Sequence, residues 1–277
     1  MSVRKTYHYE NGAHSVHGFR VGRFDLGINT SFILYRMGET LIDAGPTNQW
    51  PTIKRELKPF TIKTLLITHH HEDHSGNANR ISKLKKLLPY APKLGQKKLA
   101  KGYPTPLLQK IIWGSPLKVK TQTLPNQLII NENSNGQAIV IALPTPGHAK
   151  ALPCLYFPEQ KYLFSGDMYI SKSLKYFRAD EDLIQLIDSL KKLIALDFEV
   201  LFCPHRGIVK KGKQALEEKL ENLLALCRHS QQLMQQGLNE KDIVIELLGP
   251  EDWLSRMSRY NISKSNLVRQ AMTFNQF

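Results

Sequence analysis

A histidine-rich segment directly behind a short apolar run is the feature that most restricts how this chain can fold. Residues 65–76 hold four apolar or β-branched residues, which predict a strand, and then the pattern His-x-His-x-Asp-His. In an extended chain, side chains two residues apart lie on the same face. His69 and His71, just beyond the strand end, can therefore point at one metal ion. Asp73 and His74 follow as the chain turns into a helix and can reach a second ion. Nitrogen and oxygen ligands of this kind favour zinc and similar metals.

Three further residues follow apolar runs that predict strands, and they extend this candidate metal site. They are His148, Asp167 and His205. Taken singly, each is typical of a polar turn at the end of a strand. Because they come in this order behind the first cluster, we predict that they supply the remaining ligands.

The order of predicted elements indicates an α/β fold. The runs that predict strands are 16–21, 32–35, 41–43, 65–68, 128–130, 138–143, 152–157, 162–165 and 200–203. Helical periodicity covers 51–57, 77–87, 180–196 and 213–236. Strands come in groups with helices between and after them, so we expect two sheets packed on each other with helices outside.

The composition of the chain changes after Gly207, where the pattern becomes almost wholly helical. Further helices are predicted over 242–248, 251–259 and 264–273, and Ser263 or Ser265 can cap the last of them. We therefore predict a catalytic domain over residues 1–210 and a helical appendage over 211–277. The long amphipathic pattern at 213–236 makes a homodimer reasonable.

Composition restricts the class of protein and its compartment. Hydrophobic residues make up 42% of the 277, which excludes intrinsic disorder. No stretch approaches the roughly 18 consecutive apolar residues of a transmembrane helix. The N-terminal residues have no apolar run behind their charges, so no secretory signal is expected. The three cysteines, Cys154, Cys203 and Cys227, are widely spaced and fit a reducing compartment, so we predict a cytoplasmic protein.

The net charge of +14 is concentrated in one part of the chain. Residues 75–131, here called the basic segment, contain 11 lysines and arginines and no acidic residue. Such a one-sided field raises the local concentration of anions. The alternative interpretation is a solvated face that keeps the protein soluble.

On these residues the chain resembles the metallo-β-lactamase superfamily, over about residues 15–210. The resemblance implies an αββα sandwich of two mixed β-sheets with the site at one edge. It also implies two divalent metal ions, most often zinc, with iron or manganese as alternatives. Asp43, at the end of another predicted strand, matches the first motif of the family and implies support of the site without metal binding. The ligand set implied is His69, His71 and His148 on the first ion, Asp73, His74 and His205 on the second, and Asp167 on both.

The ligand set implies a hydrolase in which a hydroxide bridging the two ions attacks the substrate. Asp73 is the predicted catalytic residue that orients this nucleophile. Thr68, Thr145 and Ser75 are predicted to hold the imidazoles in place by hydrogen bonds. His70 and Glu72 occupy variable positions of the motif, and we assign them no chemistry.

The identity of the substrate stays open at this stage. His74 and Asp167 argue against true β-lactamases, and the pattern is closer to glyoxalase II, lactonases and lactamase-like ribonucleases. The chain is too short for the inserted β-CASP domain of RNA-processing nucleases. The first hypothesis is hydrolysis of a small, anionic ester, thioester or lactone. The second is a phosphodiesterase or ribonuclease whose basic segment binds the phosphates of a nucleic acid.

Two hypotheses lie outside hydrolysis. A persulfide dioxygenase resembles this scaffold but uses a single iron, and a non-catalytic binding protein needs no metal chemistry. The complete second ligand set argues against the first, and the seven intact ligand positions argue against the second.

Overall fold

The computed structural model of the chain describes residues 5–12, 14–24, 30–132 and 136–275. The described residues form two compact units. The first comprises those of Met1–Pro144, Ala151–Ile170 and Asp197–Gly212. The second comprises those of Thr145–Lys150, Ser171–Leu196 and Lys213–Phe277. These units group the residues differently from a single division after residue 210, and that domain boundary stays a prediction.

Strands and helices are numbered in chain order. The strands are β1 Lys5–Asn11, β2 His14–Val21, β3 Phe32–Met37, β4 Thr40–Ile42, β5 Thr64–Leu66, β6 Tyr90–Ala91, β7 Gln122–Thr123, β8 Gln127–Asn131, β9 Gln137–Pro144, β10 Pro153–Phe157, β11 Tyr162–Phe164, β12 Phe177–Arg178, β13 Val200–Cys203, β14 Gly207–Val209 and β15 Ile262–Ser263. The helices are α1 Trp50–Leu57, α2 Glu72–Ser75, α3 Ala78–Lys85, α4 Lys93–Lys101, α5 Leu107–Ile112, α6 Leu183–Ile194, α7 Gly212–Gln235, α8 Glu240–Leu248, α9 Trp253–Met257 and α10 Lys264–Met272. Short 3-10 turns cover Thr47–Gln49 and Gly166–Met168.

Two mixed sheets build the first unit. The larger has seven strands in the order β1-β2-β3-β4-β5-β6-β7. Its first four strands pair antiparallel, and β4 to β7 run parallel. The other has six strands in the order β14-β13-β11-β10-β9-β8, in which β11 and β13 are parallel.

The inner faces of both sheets contribute to one apolar core. Ile33 and Tyr35 come from the seven-stranded sheet, and Leu155, Phe164 and Phe202 come from the six-stranded sheet. The rings of Phe164 and Phe202 stack with their centroids 4.6 Å apart. Because the two sheets share this core, they form a sandwich.

The opposite face of the seven-stranded sheet is covered by helices. Phe32 and Leu34 alternate with the inward residues of β3, so they point to this outer face. There they join a second apolar core with Ile53 of α1, Ile81 of α3 and Leu99 of α4. All six residues of β3 are buried, as expected for a strand covered on both faces. The predicted class of fold, mixed sheets with helices, is confirmed.

The second unit is mainly helical and has its own apolar core of Ile243, Val244 and Val268. A two-stranded sheet pairs β12 with β15 through Phe177 and Ser263. The Ser263 hydroxyl accepts a hydrogen bond from the Asn266 backbone N–H and so caps α10. Of the two predicted capping residues, Ser263 is therefore the one that caps the helix. Among the helices of the described ranges, none has both the length and the hydropathy needed to span a bilayer.

Candidate metal centre

Asp43 and the candidate ligands of the first unit follow strands that run parallel to a neighbour in the same sheet. Asp43 comes directly after β4, and residues 68–74 follow its parallel neighbour β5. Asp167 lies in the 3-10 turn after β11, and His205 follows β13, which is parallel to β11. Since parallel strands end at the same edge of a sheet, the loops after β4 and β5 lie side by side, and so do those after β11 and β13.

A first group of metal-ligating atoms belongs to His69, His71 and Asp167, which lie within 4.8 Å of one another. His69 Nε2 is 2.8 Å from His71 Nδ1 and 3.9 Å from Asp167 Oδ2. All three side chains are buried. Two imidazoles and one carboxylate that converge in this way suit a divalent transition metal.

A second group comprises Asp73, His74 and His205, whose ligand atoms also lie within 4.8 Å of one another. His205 Nε2 is 3.4 Å from Asp73 Oδ2, and His74 Nε2 is 3.9 Å from the same oxygen. Asp167 turns its other oxygen towards this group, because its Oδ1 is 3.1 Å from His74 Nε2 and 3.4 Å from His205 Nε2. The two oxygens of Asp167 therefore face different groups.

Asp43 holds the second group from behind. Its carboxylate accepts hydrogen bonds from the Thr68 backbone N–H at 2.8 Å and from the Thr68 hydroxyl. The same carboxylate lies 2.7 Å from His74 Nδ1. A proton on Nδ1 leaves Nε2 as the free lone pair, so this contact directs the coordinating nitrogen towards Asp167.

The electrostatic field of the centre favours a positive charge. Burial by itself lowers the pKa of His74, but three surrounding carboxylates, that of Asp167 first, raise it well above its ordinary value. The pKa of His205 is likewise lowered by burial but raised by Asp167 and Asp73 to about 10. The same buried carboxylates that raise these pKa values also attract metal ions. The residues present therefore fit divalent ions.

The other polar residues of the motif stabilise the loop of residues 68–76, here called the motif loop. The Ser75 hydroxyl donates to the backbone carbonyls of His70 at 2.8 Å and His71 at 3.0 Å, so it supports the backbone where an imidazole contact was predicted. The Thr68 hydroxyl lies 3.1 Å from Nδ1 of His69 and 3.1 Å from Nδ1 of His74, as predicted for a residue that orients imidazoles.

The basic segment contacts the motif loop. Lys98 Nζ lies 2.9 Å from His70 Nε2, and the Tyr103 hydroxyl donates to the His70 backbone carbonyl at 2.5 Å. The ring of Trp113 lies 6.3 Å from that of His205, measured between centroids. Part of the basic segment thus adjoins the candidate metal centre.

His148 belongs to the second unit, where its Nδ1 contacts Oε1 of Glu181. The other oxygen of Glu181 accepts a hydrogen bond from the Arg178 backbone N–H at 2.8 Å. A carboxylate on Nδ1 fixes the tautomer that leaves Nε2 unprotonated, which is the form that binds metal. Glu181 was not singled out from the sequence, because 33 residues separate it from His148. Metal binding by His148 stays a prediction.

The fold and these residues define the family of the protein. The family model of the metallo-beta-lactamase superfamily matches residues 23–205, and this chain belongs to that superfamily. The predicted resemblance is therefore confirmed.

Individual relatives in the superfamily share less than a third of their residues with this chain. An atrochrysone carboxyl ACP thioesterase from Aspergillus fumigatus is 26% identical over 70% of this chain and 56% of its own length. Hydroxyacylglutathione hydrolases are 28% identical over 60% of the chain in Bartonella tribocorum and 29% over 59% in Bartonella henselae. The chain spans 61% and 56% of those two hydrolases, so it matches little more than half the length of these relatives.

Solved structures of the superfamily share the fold. A beta-lactamase domain protein from Burkholderia ambifaria aligns over 95% of this chain and 87% of its own with a TM-score of 0.69 at 12% identity. A metallo-beta-lactamase family protein from Thermus thermophilus aligns over 96% and 92% with a TM-score of 0.62 at 17% identity. At these identities the similarity concerns the fold alone.

Proposed function

We propose that this protein is a metal-dependent hydrolase that cleaves a thioester or a related ester or lactone bond. The observation that carries the proposal is that Asp167 contacts two groups of buried ligand atoms. The ligand atoms of each group lie within 4.8 Å of one another. One oxygen of Asp167 faces His69 and the other faces His74 and His205. Such an arrangement suits two ions that share one carboxylate.

In this proposal His69 and His71, with His148 as the third imidazole, would hold the first ion. Asp73, His74 and His205 would hold the second, and Asp167 would be shared by both. Two bound divalent ions would polarise the bond to be cleaved and make a water nucleophilic near neutral pH. The buried carboxylates and imidazoles limit the access of bulk water, which strengthens the electrostatic interactions inside the centre.

Asp73 is the residue that we propose orients the attacking water. Its Oδ2 lies 3.9 Å from His74 Nε2 and 3.4 Å from His205 Nε2. The second oxygen of such a carboxylate can accept a hydrogen bond from the water and then its proton. No serine or cysteine nucleophile is required. The Cys203 thiol donates to the Tyr169 carbonyl at 2.8 Å, and burial raises the pKa of this thiol, so it is not an activated nucleophile.

The thioester preference rests on the relatives. Two of those described are, by name, hydroxyacylglutathione hydrolases, and a third is an atrochrysone carboxyl ACP thioesterase. Both names describe the cleavage of thioesters. The glutathione part of the first substrate carries two carboxylates, and the basic segment adjoins the centre through Lys98. We therefore propose an anionic thioester as the substrate class.

The test begins with metal content, measured by elemental mass spectrometry on protein purified without chelator. We expect two divalent ions per chain and hydrolysis of hydroxyacylglutathione or of an acyl-carrier thioester. Asp167→Asn is expected to lower the metal content and to reduce kcat/KM more than roughly 100-fold, the upper range for residues that only support ligands. His229→Asn, at an exposed position of α7, is the matched control and should change neither. Full activity of Asp167→Asn would contradict the proposal.

A phosphodiesterase is the second candidate, and the contacts of the basic segment with the motif loop favour it. Lys98 and Tyr103 both contact His70, between two candidate ligands. Phosphate groups bound along this segment would approach the metal centre. The same preparation, assayed on single-stranded RNA and on thioesters, separates the two candidates by the larger kcat/KM. A single bound iron per chain would instead support the dioxygenase hypothesis.

A further inference from the structure

Arg20 on β2 makes three hydrogen bonds, one of them to His205. Its Nε donates to the Tyr7 hydroxyl at 2.8 Å, and its Nη1 donates to the Ser31 hydroxyl at 2.7 Å. Its Nη2 donates to the backbone carbonyl of His205 at 2.8 Å. The guanidinium is a planar fork of donors, so three contacts in different directions fix its position.

Ser31 connects the same network to the imidazole of His205. The Ser31 backbone carbonyl lies 3.1 Å from His205 Nδ1 and accepts its proton. With Nδ1 as the donor, Nε2 points to Asp73 and Asp167, 3.4 Å from an oxygen of each. Arg20 thus restrains His205 at its carbonyl directly and, through Ser31, at its ring.

The strands β1 and β2 hold this network in place. The Tyr7 ring packs on Gly207, where an added Cβ would lie 2.7 Å from that ring. The φ of Gly207, +99°, is also a conformation that residues with side chains rarely adopt. Arg20 also lies over the Tyr7 ring, 5.6 Å from its centroid. Tyr7 and Arg20 both precede residue 23, where the family match begins. The contribution of Tyr7 and Arg20 to the support of His205 therefore comes from a part of the chain that the family match does not include.

We propose that Arg20 is a positioning residue for the second metal ion, which it stabilises by fixing the backbone and the ring orientation of His205. The proposal rests on the proposed metal centre. Removing the partner of a ligating histidine typically lowers metal affinity tenfold to roughly 100-fold. Because the contacts of Arg20 reach His205 and neither His69 nor His71, its loss should affect the second ion and spare the first.

The test compares Arg20→Met with the wild type and with Arg55→Met, an exposed arginine of α1 that pairs with the adjacent Glu56. Each protein is stripped of metal, titrated with Co²⁺ and monitored by its visible absorption, with thermal unfolding as a check on folding. We expect Arg20→Met to bind one ion like the wild type and a second at least tenfold more weakly, with an altered spectrum. Arg55→Met should match the wild type.

A second variant distinguishes positioning from a loss of fold. In Arg20→Ala, added guanidinium ion, well below denaturing concentrations, should restore the binding of the second Co²⁺. Two ions bound to Arg20→Met with wild-type affinities would overturn the proposal.

Hydrogen exchange of the metal-free proteins separates this inference from the proposed function. Peptides covering residues 203–207 should exchange faster in Arg20→Met than in the wild type. Metal uptake without hydrolysis by the wild type would refute the hydrolase and leave the role of Arg20 standing. If the wild type bound no metal, the metal centre and this role of Arg20 would both fail.

Discussion

Asp43 combines an uncommon backbone conformation with a supporting role at the centre. Its φ of 60° lies in the left-handed region, which non-glycine residues seldom adopt. The backbone is held there by a hydrogen bond from Asp43 N to the Leu66 carbonyl at 2.8 Å, and the side chain by Thr68. Backbone strain of this kind persists where the surroundings fix it, and here it aims the carboxylate at His74. The sequence indicated this supporting role only through the family resemblance, because the backbone conformation of a single residue is not encoded in periodicity.

Asp43→Asn tests this role at the scale of one residue. Asparagine tolerates the left-handed conformation, so the fold should be retained. The neutral amide attracts the His74 Nδ1 proton less strongly, and we expect the affinity of the second ion to fall tenfold to roughly 100-fold. Competition with a zinc chelator measures it. Thr68→Ser, which keeps the hydroxyl on Asp43, is the control, and equal metal affinity in both variants would contradict the role.

At the scale of elements, the hairpin of β1 and β2 shows where the sequence pattern did not predict a strand. The nine predicted strands are present, but β1 was not predicted, because its polar residues hide the alternation of Tyr7 and Tyr9. These two tyrosines are the less exposed positions of β1, and Tyr9 packs on the inner core, so the period of two was present without an apolar run. The strands β6, β7, β12 and β15 have two residues each, too few to show any periodicity. The ligand cluster at residues 69–74 was predictable because adjacent residues determine it. The contacts of Glu181 and Arg20 were not, because they join distant parts of the chain.

The hairpin also predicts a dependence of stability on pH. His17 lies opposite His8, with their Nδ1 atoms 3.0 Å apart. Burial, together with the charges of Arg36 and His8, lowers the pKa of His17 below its ordinary value of 6.5. The unfolded chain therefore binds a proton at this residue more readily, and the contribution of His17 to stability is lost as the pH falls from about 6.5 through its folded pKa.

Urea unfolding at pH 7.5 and pH 5 measures this effect. We expect His17→Gln to lose less stability on acidification than the wild type does. His229→Gln, at an exposed position of α7, should behave like the wild type. Identical pH profiles for the wild type and His17→Gln would refute the assignment.

The cap of α10 gives a second prediction at this scale. Ser263 is buried, and its hydroxyl accepts a hydrogen bond from the Asn266 backbone N–H in the first turn of the helix. Ser263→Ala should lower the free energy of unfolding by about 1 kcal/mol. Thr273→Ala, exposed at the other end of the same helix, should change it by less than about 0.5 kcal/mol. Chemical denaturation of the two variants decides the matter, and equal effects would show that the cap contributes nothing specific.

At the scale of the whole molecule, the distribution of charge is the most distinctive property. The net charge is +14, and 11 basic residues without an acidic one lie within residues 75–131. Lys93, Lys97 and Lys101 of α4 are exposed, while Lys98 in the same helix contacts the motif loop. An anion that approaches α4 therefore meets positive charge near the centre.

Salt should consequently separate substrates by charge. For an anionic thioester we expect kcat/KM to fall severalfold between about 50 and about 500 mM salt, because the added ions screen the attraction. A neutral ester should show little change. The double variant Lys97→Met/Lys101→Met should show a smaller salt effect, whereas Lys54→Met on α1 should not. If salt lowered kcat/KM equally for the neutral ester, the salt effect would not arise from the charge of the substrate.

The carboxylate of Asp167, with one oxygen directed at each group of ligands, has a consequence for how the centre fills. An ion bound by one group would orient the carboxylate and so prepare it for the other, which makes the two binding events cooperative. Since such coupling is reciprocal, each ion would strengthen the binding of the other by the same factor. In a titration of the wild type, the centre should then exist mainly as empty or complete. In Arg20→Met, where only the second group is weakened, chains that carry a single ion should accumulate.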